Sequence, residues 1–206
     1  MLKKLIASWD KVIGEIRKDP AYFETLPKNL RENIYFFRRA IEAAPRLFCE
    51  ATPEQANDLP TALAAAQGYY YNFKYLGPDM KKVSEIILTL FPQSDNPLLD
   101  IPLHISLLKN KDFLLKALPF APKILHYALR RHRDLGFFED TKFINDAVRV
   151  NWNILLSALA SRKTLLNKLI LRSVPDALLK EHLQAKALLN RLDIYALRRI
   201  QTLADA

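Results

Sequence analysis

One spacing of residues recurs along this chain, and a recurrence of this kind leaves few folds open. FFRRAIEAAPRLFCEA places Phe36, Ala40, Pro45, Leu47, Phe48 and Ala51 at the same offsets as Phe113, Ala117, Pro122, Ile124, Leu125 and Ala128 in FLLKALPFAPKILHYA. A third copy, FINDAVRVNWNILLSA, supplies Phe143, Ala147, Ile154, Leu155 and Ala158, with Trp152 in the proline slot. Weaker copies carry Pro20, Tyr22, Phe23 and Leu26, and then Ala65, Tyr70, Phe73 and Leu76. Pro97 and Pro175 stand near the expected places with poor flanking matches. The period is about 25 residues and stretches across Arg130 to Asp140, where RRHRDLGFFED reads as a longer loop around Gly136.

The physics of one unit is legible. Phe36 and Ala40 are four apart and share a helical face, which Ile41 widens. Proline five residues after the alanine stops that helix yet is well suited to the first turn of another. Leu47, Phe48 and Ala51 then form the inward face of a second, short helix. A helix pair of this size cannot cover its own apolar face, so neighbours must stack. Glycine is scarce, Leu and Ala dominate, and runs alternating with period two are nearly absent, which favours helix over sheet. The expected fold is therefore all-α: a right-handed stack of short helix pairs, an α-solenoid-like array with N- and C-terminal capping helices. It is read as a single domain over 1–206, with repeats over 10–160 and capping helices over 161–206. The N-terminal cap is an amphipathic helix through Leu5, Trp9, Val12 and Ile16, and Thr52, Pro53 and Gln55 make a capping-box start. Asp176 to Ala204 reads as a long closing helix.

Several function classes are weakened at this level. No apolar run reaches the length a bilayer crossing needs, and Asp10 and Lys11 interrupt what would be the apolar centre of a signal peptide. The single cysteine, Cys49, suits a reducing compartment. The four glycines are scattered and form no phosphate loop. The histidines at 104, 126, 132 and 182 never share a helical face. Neither a metal nor a cofactor is expected.

Three features remain as sites. YYYNFKY, Tyr69 to Tyr75, cannot turn every ring inward on one helix, so Tyr69, Tyr71 and Tyr75 are candidate interface residues; the competing explanation is core packing. The net charge of +9 lies wholly in residues 101–206, with residues 1–100 balanced. Lys123, Arg130, Arg131 and Arg133 are its candidate binding cluster, beside His132 and ahead of Arg162, Lys163, Arg198 and Arg199; solvated helix faces explain them equally simply. Cys49 is weighed as a nucleophile and set aside, because equivalent positions hold His126 and Leu156.

The signature in LPKNLRENIYFFRRAIEAAPRLFCEA and LLKNKDFLLKALPFAPKILHYA resembles a short α-helical repeat family catalogued as a domain of unknown function. In that family a polar turn with Asn or Asp leads to Phe-x3-Ala, then Pro or a small residue, then a Leu-rich pair and Ala. Its members occur in intracellular bacteria, including suspected secreted effectors, and in protists. The resemblance covers most of residues 10–160, and the last 45 residues depart from it. It implies helical repeats and effector biology and supplies no catalytic residues. The chain ends RRIQTLADA, without the Glu-rich tail common among substrates of such secretion systems.

The leading expectation is a non-enzymatic repeat protein that binds a macromolecule, foremost a protein. It would be cytoplasmic, or secreted into a host cell without a cleaved signal peptide. The alternatives are a basic protein binding nucleic acid or an acidic surface, and an enzyme whose site is assembled from several repeats.

Overall fold

The computed structural model describes residues 8–131 and 140–151, the helical backbone of residues 2–7, and Gly136, Ile154 and Ile170. The expectations for Trp152, Leu155, Ala158, Pro175 and, Ile170 apart, the capping helices of 161–206 lie outside the described residues. Among the described residues there are helices and no strands. The chain divides into two compact units, Met1–Leu107 and Leu108–Ala206.

The longer α-helices of the first unit are α1 (Leu2–Lys18), α2 (Ile34–Ala43), α3 (Leu59–Gly68) and α4 (Ser84–Leu90). α2 and α3 repeat with a register of 25 residues at both ends, and α4 begins 25 residues after α3. Each packs on the next in order, α1 on α2, α2 on α3 and α3 on α4. The buried positions follow the same register: Phe36, Phe37, Ala40 and Ile41 on α2, then Thr61, Ala62, Ala65 and Ala66 on α3. Ile86, Ile87 and Leu90 on α4, with Phe91 just after it, complete the series. Bulk alternates, so the small-residue face of α3 lies between two helices with large ones, and interdigitation fills the space. Trp9 meets Phe36 edge-on with ring centroids 5.5 Å apart, which locks α1 to α2.

Helix starts come from one polar residue three positions before the first buried slot. The side chain of Asn33 accepts from the N–H of Tyr35 and Phe36, and Asp58 accepts from that of Thr61. Burial alone would raise the Asp58 pKa, but hydrogen bonds from the Thr61 hydroxyl and N–H and the Arg38 guanidinium outweigh it and hold it low. Arg38 belongs to the preceding copy and reaches Asp58 at 2.9 Å, so the cap also ties two repeats together. The expected capping box at Thr52 and Gln55 is present, although the helix it opens, Pro53–Ala56, is a single turn.

The second half of each early unit departs from the expected short α-helix. Pro20–Thr25, Pro45–Glu50 and Tyr70–Tyr75 are 3-10 turns, again 25 residues apart. Pro45, Phe48 and Ala51, or Tyr70, Phe73 and Leu76, are spaced by three, which matches three residues per turn and not 3.6. Phe23, Phe48 and Phe73 are the buried centres of the three turns. Ala51, expected to face fully inward, is half-buried.

Carbonyls left free where helices and turns end are met by side-chain amides of the following copy. Gln55 donates to the Arg31 carbonyl at 2.9 Å, and Asn72 to those of Pro45 and Ala65 at 2.8 and 3.0 Å. Gln93 donates to the Ala66 carbonyl at 2.7 Å. Gln55, Asn72 and Thr61 are the buried polar side chains of the described residues, and all three are satisfied in this way or at the Asp58 cap.

In the second unit α5 (Lys111–Ala117) packs on α6 (Ile124–Arg131) and on α7 (Thr141–Val150). Asn110 and Asp140 cap α5 and α7 as Asn33 and Asp58 do theirs. Phe113, Leu114 and Ala117 with Leu118, and Phe143, Ile144, Ala147 and Val148, are the buried sets. The segment after Pro122 is a true α-helix, because Ile124, Leu125 and Ala128 have α spacing. The Asn151 amide donates to the Leu118 carbonyl at 3.1 Å, the same kind of tie as in the first unit.

Two glycines make opposite predictions. A Cβ on Gly68 would fall 2.2 Å from the Pro45 ring, whereas one on Gly14, inside α1, meets nothing within 4 Å. Gly68→Ala is expected to destabilise by ~1–3 kcal/mol through overpacking, and Gly14→Ala to stabilise by ~0.5–1 kcal/mol through helix propensity. Urea unfolding of both variants checks the pair. Because Asp58 titrates below its unfolded value of about 3.9, its contribution is complete above that pH and disappears as pH falls through the folded value. Asp58→Asn should therefore lower stability at neutral pH and flatten its decline below about pH 4.

Candidate functional site

Two consecutive 3-10 turns, Pro45–Glu50 and Tyr70–Tyr75, lie side by side in the first unit. In a 3-10 turn residues three apart eclipse one another, so each turn has an inner edge and an outer edge. The inner edges hold Phe48 and Phe73. The outer edges bring together Arg46 with Cys49, and Tyr71 with Lys74, and these pairs occupy equivalent positions one period apart. Between them opens a concavity of about 250 Å³, with Tyr69, Asn72 and Tyr75 completing its wall.

Its geometry is aromatic and cationic. Tyr69, the extended residue that ends α3, and Tyr71 have ring centroids 5.4 Å apart, and Tyr71 meets Tyr70 edge-on at 5.0 Å. The Arg46 guanidinium lies 5.0 Å from the Tyr69 ring centroid, and the Lys74 ammonium 4.6 Å from that of Tyr75. The Tyr75 phenol holds Lys74 above the usual lysine range, so its charge is permanent at neutral pH. Burial, and after it the charge of Asp100, pushes the Tyr70 phenol up; its hydroxyl bonds Ser94 and Asp100, which anchors the inner end of the turn. Tyr71 is 60% exposed and Tyr75 39%.

Thus Tyr69, Tyr71 and Tyr75 are brought together at one surface. Lys123, Arg130 and Arg131 are exposed on the second unit. Arg131 lies 5.3 Å over the Tyr127 ring, and Arg130 and Arg131 form the last turn of α6, where cations complement the helix dipole. Arg133, His132, Arg162, Lys163, Arg198 and Arg199 lie outside the described residues. Arg46, Lys74 and Asn72 were missed in the sequence, although the repeat itself held the signal: 46 and 71, and 49 and 74, are one period apart.

The chemistry available is binding chemistry. Cys49 Sγ lies 3.6 Å from Glu50 Oε1 and donates to it. Burial first, and then the Glu50 charge and this hydrogen bond, push the thiol pKa up, which keeps it protonated and a poor nucleophile at neutral pH. No histidine stands in the wall of the concavity to act as its base. Among the described residues no three His, Cys, Asp or Glu side chains converge on a metal position, and no helix is long and apolar enough to cross a membrane. No family model, curated protein or solved structure matches the chain.

Cys49 should react with iodoacetamide more slowly at neutral pH than a free thiol of ordinary pKa, with roughly a tenfold loss of thiolate per unit of upward shift. Glu50→Gln removes the charge that opposes ionisation, so alkylation near neutral pH should accelerate. An unchanged rate would show that Glu50 does not control the thiol.

Proposed function

We propose that this chain is a non-enzymatic helical-repeat protein that binds another protein along the outer edges of its 3-10 turns, centred on Tyr69, Tyr71 and Tyr75. One observation carries the reading: exposed tyrosines, with Arg46 and Lys74 stacked on their rings, wall a concavity that lacks a catalytic constellation. Tyr and Arg dominate the energetics of protein interfaces because they offer large rigid area with a polar tip. The volume supports the same reading, since about 250 Å³ lies below the roughly 300–1,000 Å³ of sites that enclose a small-molecule ligand.

The repeats extend this edge. A right-handed stack of helix pairs continuing through residues 10–160, closed by capping helices, presents successive turns as one long binding surface. The resemblance to repeats of intracellular bacteria supports a location in the cytoplasm or, for an effector, in that of a host. A second reading, electrostatic association with nucleic acid or an acidic surface, is favoured by Lys123, Arg130 and Arg131, which stand exposed in the charge-rich part of the chain.

Affinity capture from native or host cytosol separates these readings. Tyr71→Ala with Tyr75→Ala should reduce capture of the specific partner by roughly tenfold or more, with a melting temperature within about 2 °C of the parent. Capture untouched by that variant but abolished by moderate salt moves the function to the basic residues.

A further inference from the structure

We propose that the concavity between Pro45–Glu50 and Tyr70–Tyr75 receives an acidic segment of a protein partner, with Arg46 and Lys74 taking a Glu or Asp carboxylate and Tyr71 and Tyr75 packing on its neighbours. This rests on the protein-binding reading above and adds the chemistry of what binds.

The wall is one-sided in its hydrogen-bonding capacity. Arg46 and Lys74 carry only donors, and the phenols of Tyr69, Tyr71 and Tyr75 each hold one. The Asn72 amide nitrogen is committed to the Pro45 and Ala65 carbonyls, and the Cys49 thiol to Glu50. No carboxylate lines the concavity, and among the described residues neither Arg46 nor Lys74 forms an ion pair. Glu50 flanks the site beside the thiol, so two cations face one carboxylate and the local balance stays positive.

Geometry selects a carboxylate. A guanidinium held by its face against the Tyr69 ring keeps its N–H edge free, and that edge meets a carboxylate through two parallel hydrogen bonds. Lys74 adds a point charge, stacked on Tyr75. Nucleic acid fits less well, because residues 1–100 carry as many acidic as basic side chains and lack the broad positive field that phosphate-backbone binding draws on. The exposed ring of Tyr71 beside the cations suits an apolar residue next to the acidic one.

Cys49 is the only cysteine of the chain and lines the concavity, so its alkylation reports occupancy. The probes are a short peptide alternating Glu and Leu, the same peptide with Gln for Glu, and a polyuridine oligonucleotide, at mildly alkaline pH and low salt. The Glu peptide is expected to slow alkylation saturably by about threefold or more, and the Gln peptide, binding at least about tenfold more weakly, to protect far less. Arg46→Gln with Lys74→Gln should abolish the protection. Equal protection by the Gln peptide, protection by neither, retention in the double variant, or equal protection by polyuridine overturns the proposal. The peptide comparison on the unaltered protein decides the matter if the double variant does not fold. Partner capture lost in Tyr71→Ala but kept in Arg46→Gln with Lys74→Gln removes the acidic segment and leaves the protein-binding reading standing.

Discussion

The structure of the first unit depends on one contact, repeated: a four-position helical stripe buried against the same stripe of the next copy. Phe36, Phe37, Ala40 and Ile41 cover Thr61, Ala62, Ala65 and Ala66, which in turn lie against Ile86, Ile87 and Leu90. A stripe of this width cannot be shielded by its own short helix, so burial of any copy requires its neighbour. Large side chains on two helices work only because those between them are small. Complementary size, beyond apolar character alone, sets how closely α2, α3 and α4 pack.

From that contact the rest follows at the ends of the helices. Each must start and stop in step with its neighbour, and both events are met by groups that reach across copies. Arg38 of one copy bonds the Asp58 cap of the next, while Gln55, Asn72 and Gln93 satisfy carbonyls of the copy before. A buried carbonyl without such a partner costs more than the hydrogen bond itself contributes, so these amides hold the register as well as the energy. Pro45 fits against Gly68 because no Cβ is there to oppose it.

The same register assembles the candidate site. Eclipsed residues of a 3-10 turn make a narrow outer edge, and two turns one period apart set Arg46 and Cys49 against Tyr71 and Lys74. The inner edges keep an aromatic centre in every early copy, Phe23, Phe48 and Phe73, since they carry the packing. The outer edges differ from copy to copy, and that freedom is where a binding surface can diversify without loss of the scaffold. Arg46 and Lys74, resting on rings, are held in place with little further ordering required on binding.

Much of this was legible in order. Local rules acting over a few residues settled the helix starts at Asn33, Asp58, Asn110 and Asp140, the break at Pro45, the capping box at Thr52 and the all-helical composition, because each depends on backbone hydrogen bonds within one turn. The spacing by three of Pro45, Phe48 and Ala51 also stood in the sequence, although Leu47 beside Phe48 made α spacing an equal fit. Tertiary structure alone decided that an Ala-rich face would lie between two bulky ones, that the Asn72 amide would turn inward to Pro45, and that Arg46 would lie on Tyr69. Those outcomes join residues 23 or more positions apart, and their energies depend on which neighbour arrives and how closely it packs, quantities that no local pattern in a single chain encodes.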